Sequence, residues 1–527
     1  MISRYPRDIK KSNSERLEKL LIDAKRKQPG VAFPSATKQE HLLIIRFNIS
    51  HSVYDRKDQE FVRSGVMRLC NLFDRIDKKE IRMDDLTEDG DIRTVPLSEF
   101  NFSPTLGFGI GFFDKLRIKS RKRPKRLKEM PSHHDLGDPS PYHLSQTDFI
   151  IQLGSDTEDV NRWVFQHTSA GITNSEGERR TRYLSSVNPS ARRRTQDRDT
   201  DIYSTISDWA TITDIHSGFQ RIDGRNLMGF NDGISNPKRL SNDTVWITPE
   251  DENGKFSDGT YMVFQKIEHD LEMWRNMAAE KQEEWIGRSK GTGLLLGTLP
   301  KDLDRKLASD LHSEIPIVKE RATKRWKKLY DEQKDPDRNF FDPRQRQYKN
   351  IQFECPVWSH VRKSNPRRAD GAARSLIFRR GYLFMEGGLN GMFSSGLLFI
   401  CFQRDIGKGF EYIKKNFLNN KNFPVPEQRK NFSPQELDRR QQYGRFTASE
   451  LKKGASVPLS PHFDSPIKMS HNPDAQNTGK EGLSGPSELG VHPEGQAQVT
   501  VTLGGGYYFI PPIPNRQISN IGEQFFE

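Results

Sequence analysis

Three short stretches carry residue types that could do chemistry. "GFNDGISNP" (229–237) sets Asp232 beside glycine and closes on Asn-Pro. Glycine frees the backbone, Asn and Asp bond their own backbone, and proline punctuates the exit. Such a loop presents a carboxylate to whatever lies opposite, so Asp232 reads as a turn residue, a metal ligand or a catalytic acid/base. "CPVWSHVRKSNPRR" (355–368) holds one histidine, His360, after a Cys-Pro turn and ahead of Arg362, Lys363 and Arg367. A haem iron takes a strong axial donor, often a single imidazole, with cations near its propionates. That is one reading of His360; a packed histidine is the other, and Cys355 is a rival thiolate donor. "IFRRGYLF" (377–384) puts two arginines inside an apolar strand. A strand alternates faces, so Arg379 and Arg380 point opposite ways. A buried arginine needs an anionic partner; Asp232, a propionate and a bound anion are candidates.

Other stretches offer less. "GRSKGTG" (287–293) and "LGGGYY" (503–508) are glycine-rich, yet neither has the order of a phosphate loop or a dinucleotide fingerprint. The basic run "KLRIKSRKRPKRLK" (115–128) has no interleaved aromatics and reads as a solvated loop, not a nucleic-acid surface. His133-His134 reads as a solvated pair. Three cysteines with no CxxC make neither a disulfide framework nor a structural zinc site.

The elements that must position these residues are α+β. Residues 41–50 read as a strand and 58–76 as a helix, with Phe61, Val66, Leu69 and Leu72 near helical spacing. Strands are expected at 106–116 and 147–156, and a helix at 157–168. The C-terminal half repeats this grammar: a strand and helix start in 259–274, strands at 374–384 and 395–405, a helix at 408–418. Strand, helix, strands, helix is the ferredoxin-like pattern. Two such units are expected, 37–220 and 221–527. Residues 1–36 read as a polar extension, 178–198 as a loop, and about 425–495 as a long excursion rich in Pro, Ser, Gly and Asn.

Taken together and in this order, the three stretches resemble the dye-decolourising peroxidases. The family's GxxDG is Gly229-Phe230-Asn231-Asp232-Gly233, inside "NLMGFNDGISNP"; "CPVWSHVRKSNPR" resembles its haem-ligand segment and "IFRRGYLF" its distal-arginine strand. Weaker echoes include "TDFIIQLGSD", "SGLLFICFQRDIGKGF" and the closing "IGEQFFE". The similarity covers roughly residues 38–425 and the last twenty-five or so. It implies an α+β fold of two ferredoxin-like halves, with antiparallel sheets and peripheral helices in a dimeric α+β barrel-like arrangement. It implies one haem b per chain in the C-terminal half, with His360 as proximal iron ligand, Asp232 as distal acid/base and Arg379 as distal arginine. Gly229, Phe230, Gly233, Ile234, Arg362, Leu397 and Phe399 would stand at the cofactor. Gly381, two residues after the distal arginine, departs from relatives with a polar residue there. Asp405 and Glu386 are candidate acceptors for the second N–H of His360.

The implied activity is hydrogen-peroxide-dependent oxidation of dyes, phenolics and similar donors through a ferryl (compound I) state. Trp274, Trp285, Trp326 and Tyr382 are candidate relay residues for bulky donors, or plain packing. The net charge of +12 favours anionic aromatic donors over cationic ones. Alternatives are a haem-handling, deferrochelatase-like protein and a haem-free basic interaction module. Homo-oligomerisation is compatible with either. No apolar run of signal-peptide or membrane-span length occurs, so the expectation is a cytoplasmic protein.

Overall fold

The computed structural model describes residues 27–32, 39–50, 55–77, 81–86, 92–138, 140–166, 171–173, 179–181, 201–231, 236, 244–252, 256–334, 338–341, 345–356, 359–366, 375–387, 393–419, 499–513, 522 and 525–526. The excursion at 425–495, most of 178–198, and Asp232, Gly233, Ile234 and Arg367 lie outside the described residues.

Nine strands form the main sheet. In chain order they are β1 (His41–Ile49), β2 (Ser103–Phe108), β3 (Phe149–Ser155), β4 (Ala210–Phe219), β5 (Thr260–His269), β6 (Phe378–Arg379), β7 (Tyr382–Gly387), β8 (Phe393–Gln403) and β9 (Thr500–Ile510). The N-terminal strands run in the order β2-β3-β1-β4, and the C-terminal strands in the order β7-β8-β5-β9. Numbered within each half, both orders are 2-3-1-4, and every pairing is antiparallel. This is the ferredoxin-like arrangement written twice. The halves meet edge to edge, Leu383 opposite Phe219 and Phe509 opposite Phe108, which closes eight strands into a ring. Short β6 precedes β7 in the same register along β8 and pairs with β8 alone.

Alternation loads each strand on both faces. Leu42, Ile44, Phe264, Phe384, Leu398 and Tyr508 fill the interior. Leu43, Ile45, Phe47, Ile151, Phe399 and Cys401 face outward into the helices. Helix α1 (Arg56–Asp77) covers the N-terminal sheet with Val62, Val66, Leu69 and Phe73 buried. Gly65 lets the Trp209 indole lie against that helix, since a β-carbon there would collide with the ring. Helix α2 (Glu158–Phe165) is the second N-terminal crossover, with Val160, Trp163 and Val164 buried.

One part of the ring interior is ionic. Arg46 Nε lies 2.9 Å from Asp214 Oδ1, His216 Nε2 2.9 Å from the same oxygen, and Lys266 Nζ 2.5 Å from Glu386 Oε2. Burial pulls the Glu386 carboxyl upward, but hydrogen bonds from His216 and Lys266 outweigh it and hold the group below its ordinary range.

In the C-terminal half the first crossover is enlarged. Between β5 and β6 it carries α3 (Ala279–Ile286), α4 (Lys301–Leu311), α5 (Pro316–Lys334) and α6 (His360–Ser364). The second crossover, after β8, is a short helix at Phe410–Tyr412 that widens into π geometry over Ile413–Leu418.

Several sequence expectations change here. Residues 106–116 are the end of β2 followed by a helix at Ile110–Lys115, because Gly109 turns the chain under Phe112 and Phe113. β4 is a full strand that the sequence reading passed over. Residues 374–384 are two strands, β6 and β7, interrupted at Arg380-Gly381. The basic run is a packed strap: Ile118 and Leu127 are buried, Arg126 pairs with Asp251 and Asp405, and Lys128 pairs with Glu411. Inside the stretch read as an extension, Gln28 bonds the backbone of Leu106 and Pro511, and Val31 is buried against the ring interior.

The two faces of β8 are separable by experiment. Leu398→Ala should cost about 2–5 kcal/mol, because Leu398 is fully buried in the interior. Leu397→Ala, on the helix face, should cost clearly less. Chemical denaturation of the two variants checks the order; equal losses would contradict the alternation.

Candidate active site

A cavity lies between the helix-side face of the C-terminal sheet and the 270–377 insertion. Its space comes to about 1460 Å³ when the open mouth and adjoining solvent are included. Ile267 and His269 of β5, Arg379 of β6, and Leu397 and Phe399 of β8 form the sheet wall. They alternate along their strands with interior residues such as Lys266, Glu268 and Leu398. His360, Val361 and Ser364 of α6 line the wall built by the insertion, with Ile286 and Arg288 beside them. Asn226, Phe230 and Asn231 line a further side, and Lys414, Phe417 and Leu418 of the π segment complete it. Wide helical turns of this kind are frequent at functional sites.

His360 and Arg379 thus line one cavity although 19 positions separate them in the chain. Arg380 points the other way, bonding Gly30 O and Gln39 Oε1. On the far side of Arg379 lies Asn236, whose side chain donates to Arg379 O at 2.8 Å and accepts from Arg379 N at 3.1 Å. The loop read from Gly229 to Pro237 is therefore fastened to the arginine's backbone near its exit. At its entrance Phe230 and Asn231 line the cavity, and Gly229 has φ +91°, where a side chain would be strained.

Arg362, expected at the cofactor beside His360, is elsewhere. Arg362 is two residues on, about 200° around a helix from His360, and faces away from the cavity. It is buried, donates to Gln352 O and Cys355 O, and stacks on Phe341 at 4.6 Å. Burial lowers its pKa to about 10, against an opposing push from Cys355. Lys363 is also buried, which lowers it to about 7, and it does not line the cavity. Cys355 donates its S–H to Gly287 O at 3.5 Å and is likewise absent from the cavity wall. Glu386 belongs to the ionic cluster in the ring, and Asp405 pairs with Arg126 at 3.3 Å, so both carboxylates serve other partners.

The cations that do reach the cavity are Arg288, Arg379 and Lys414, and no aspartate or glutamate stands among its described lining residues. The Lys414 charge is met by Asp138 at 2.8 Å. Sequence reasoning missed Arg288, His269 and Lys414. For His269 a signal existed: it follows Ile267 by two on β5 and so shares its face. Arg288 and Lys414 had none, because tertiary packing alone brings them in. Of the candidate relay residues, Trp274 is buried with its N–H on Met228 O, Tyr382 is inside the ring, and Trp326 stacks on Tyr330 at 4.4 Å.

The donor set suits a flat apolar group that carries acid substituents and an imidazole-ligated metal. The imidazoles of His360 and His269, guanidinium groups and the walls of Phe230, Phe399, Phe417 and Ile377 supply the matching chemistry. Among the described residues no group of three or more His, Cys, Asp or Glu is placed to hold a metal ion.

Asn236→Ala should cost about 1–3 kcal/mol, since it leaves the Arg379 N–H and C=O without these bonds. Hydrogen exchange at the Arg379 amide should speed up; unchanged protection would show that the bond is not needed.

Residues 223–424 match the family model "Dyp-type peroxidase, C-terminal". Curated relatives include proteins named deferrochelatase: one from Escherichia coli O6:K15:H31 is 29% identical over 196 residues, 36% of this chain and 37% of its own length. One from Shigella flexneri serotype 5b is 26% identical over 330 residues, 60% of each chain. The chain thus spans about 37 to 60% of the length of these relatives. DtpA from Streptomyces lividans, solved as an oxyferrous/water mixed complex, superposes with a TM-score of 0.51 at 17% identity, covering 95% of this chain and 96% of that one. A DyP-type peroxidase from Cellulomonas bogoriensis gives 0.50 at 16% identity, covering 95% and 99%. These two likenesses show the fold. Residues 223–424 of the chain are thus similar to the C-terminal part of the Dyp-type peroxidases.

Proposed function

We propose that the chain binds one haem b and uses hydrogen peroxide to oxidise dyes, phenolics and similar donors. A single cavity lined by both His360 and Arg379 carries this reading. His360 would hold the iron, and the bound haem would supply the redox chemistry that breaks the O–O bond heterolytically. Arg288 and the other cavity guanidinium suit the acid groups of such a cofactor, and Phe230, Leu397 and Phe399 keep water from its faces.

Asp232 follows Asn231 and precedes Asn236 by four residues, so the chain ties it between a cavity-lining residue and the backbone of Arg379. As a carboxylate it would take the proton from the inner peroxide oxygen and return it to the outer one. Geometry requires hydrogen-bond reach for that transfer. Burial raises a carboxylate's pKa and a guanidinium nearby lowers it. Arg379 would hold Asp232 ionised and stabilise negative charge on the departing oxygen. Gly381 lines the cavity without a polar side chain, which leaves peroxide positioning to Asp232 and Arg379.

The curated relatives named deferrochelatase support a second reading, haem handling without efficient turnover. One preparation separates the two. Addition of ferric haem should produce a Soret band in the wild-type protein, and His360→Ala should lose it. Peroxide-dependent oxidation of an anthraquinone dye should then fall about 10²- to 10⁴-fold in Asp232→Asn and in Arg379→Leu. A protein that binds haem but oxidises no dye supports the second reading. A protein without a Soret band supports a haem-free interaction module.

A carboxylate deprotonates about 2–3 pH units below an imidazole. Dye oxidation should therefore persist below pH 6, and a rate that collapses just below neutrality would count against Asp232 as the base. The net charge of +12 favours sulfonated donors. Their turnover should slow as salt is added, whereas uncharged donors should be indifferent.

A further inference from the structure

Three amides of the glycine-rich turn at 287–293 are already in use. Ser289 N donates to Leu294 O at 2.9 Å, Lys290 N to Glu283 Oε1 at 2.7 Å, and Gly293 N to Ser289 O at 2.9 Å. The turn cannot offer these three to a phosphate. The surrounding helices hold it firmly instead. Asp304 of α4 accepts from Ser289 and Thr292 at 2.5 and 2.6 Å, and Trp326 of α5 donates to Thr292 O at 2.8 Å.

The turn touches both sides of the cavity. At one end Gly287, with φ +88°, packs so closely on the start of the His360 helix that a β-carbon would strike Val361, Ser359 and Cys355. At the other end a β-carbon on Gly293, with φ +74°, would stand 2.6 Å from Asn231 Nδ2. Between them Lys290 sits over the rings of Phe230 and Trp274 at 5.6 and 5.9 Å.

One side chain fastens this turn to the loop that leads into Asp232. Arg225 Nη1 donates to Gly229 O at 2.7 Å and to Lys290 O, and Nη2 donates to Gly291 O at 3.2 Å. The backbone of Arg225 also bridges to Asn231 in antiparallel fashion. Asn226 N donates to Phe230 O at 2.8 Å, and Asn226 Oδ1 accepts from Phe230 N at 3.0 Å. The loop is thus a closed turn, and its carbonyl at Gly229 is tied to the 287–293 carbonyls through one guanidinium.

We infer that Arg225 is a positioning residue for the proposed peroxidase reaction, clamping the Gly229–Asn231 loop to the 287–293 turn and so setting the span between the His360 helix and Asn231, the residue that precedes the proposed acid/base in the chain. The inference rests on the reading of Asp232 as acid/base for its chemical consequence, but not for its mechanical one. A planar guanidinium with forked donors suits three carbonyl oxygens; an ammonium offers a point charge and reproduces the clamp only in part.

Hydrogen exchange on the full chain without haem tests the mechanical part. In Arg225→Ala, amides of residues 226–231 should exchange about tenfold faster or more, while those of β1 and β8 keep their protection. Arg225→Lys should fall between. Unchanged exchange at 226–231, or an equal rise everywhere, overturns the clamp. If Arg225→Ala fails to fold, Arg225→Lys and Gly293→Ala must show the same local pattern, and wild-type protection in both overturns it. With ferric haem added, Arg225→Ala should retain the Soret band. Its peroxide-driven spectral change should slow about 10- to 100-fold, with the KM for the dye unchanged and partial recovery in Arg225→Lys. A wild-type peroxide rate in Arg225→Ala, in a background where Asp232→Asn is slow, overturns the positioning role. If Asp232→Asn is itself as fast as wild type, the functional reading fails and the exchange result still decides the clamp.

Discussion

A ring of strands has only two faces, and here each strand is loaded on both. Once eight strands close, the inner face must be filled with side chains, since a barrel of that size has room for little else. Leu42, Ile44, Phe264, Leu398 and Tyr508 do that filling, with the Arg46–Asp214–His216 and Lys266–Glu386 contacts at one part of it. A large cavity has to lie on the outer face, under whatever the crossovers bring. The N-terminal sheet receives α1 and α2, which bury Val66, Leu69, Val160 and Trp163 on that side. The C-terminal sheet receives an insertion between β5 and β6 that stands off far enough to leave space. Period two then decides who lines the space: Ile267 and His269, Leu397 and Phe399, but not Lys266 or Leu398.

Much of this was legible in residue patterns, for physical reasons. Strands such as "HLLIIRFNI" and "GLLFICFQ" are buried on both faces and read as continuous apolar runs. The alternation argument separated Arg379 from Arg380 because it needs only local geometry. It failed where geometry is set from afar. The end of "LGFGIGFF" bends into a helix because Phe112 and Phe113 find a cluster with Phe108, Phe149 and Phe525, and Phe525 is almost at the end of the chain. The basic run looked solvated because its carboxylate partners, Asp251, Asp405 and Glu411, are more than a hundred residues away. β4 alternates apolar and polar residues around Asp214 and His216, and its polar members are buried only because Arg46 and Glu386 meet them.

The same limit applies to the site. His360, Phe230, Leu397 and Phe399 are reached through the family resemblance, with period two adding only that Leu397 and Phe399 share a face, and all four line the cavity. Arg362 does not, and proximity to His360 in the chain says nothing about which side of a five-residue helix it occupies. Helical rotation carried it to Phe341, and the cavity received Arg288 from a turn that had looked like a weak phosphate loop. That turn's glycines are needed for close approach to protein, at Gly287 and Gly293, and not for approach to a ligand.

The position of Arg379 at the margin of the sheet closes the chain of cause. β6 pairs with β8 on one side only, so alternate backbone groups on its other side lack a strand. Arg380 N is satisfied by Ile400 O at 2.8 Å. Arg379 N and O point outward, and unpaired edge groups are costly when half-buried. The Asn236 side-chain amide, which carries a donor and an acceptor side by side, satisfies both. The edge of the sheet is therefore what docks the far end of the loop, as Arg225 docks its near end. β6 and β7 keep one register along β8, Arg379 opposite Cys401 and Tyr382 opposite Leu398, and at the margin of that interrupted strand Arg379 meets Asn236 through its backbone and the cavity through its side chain.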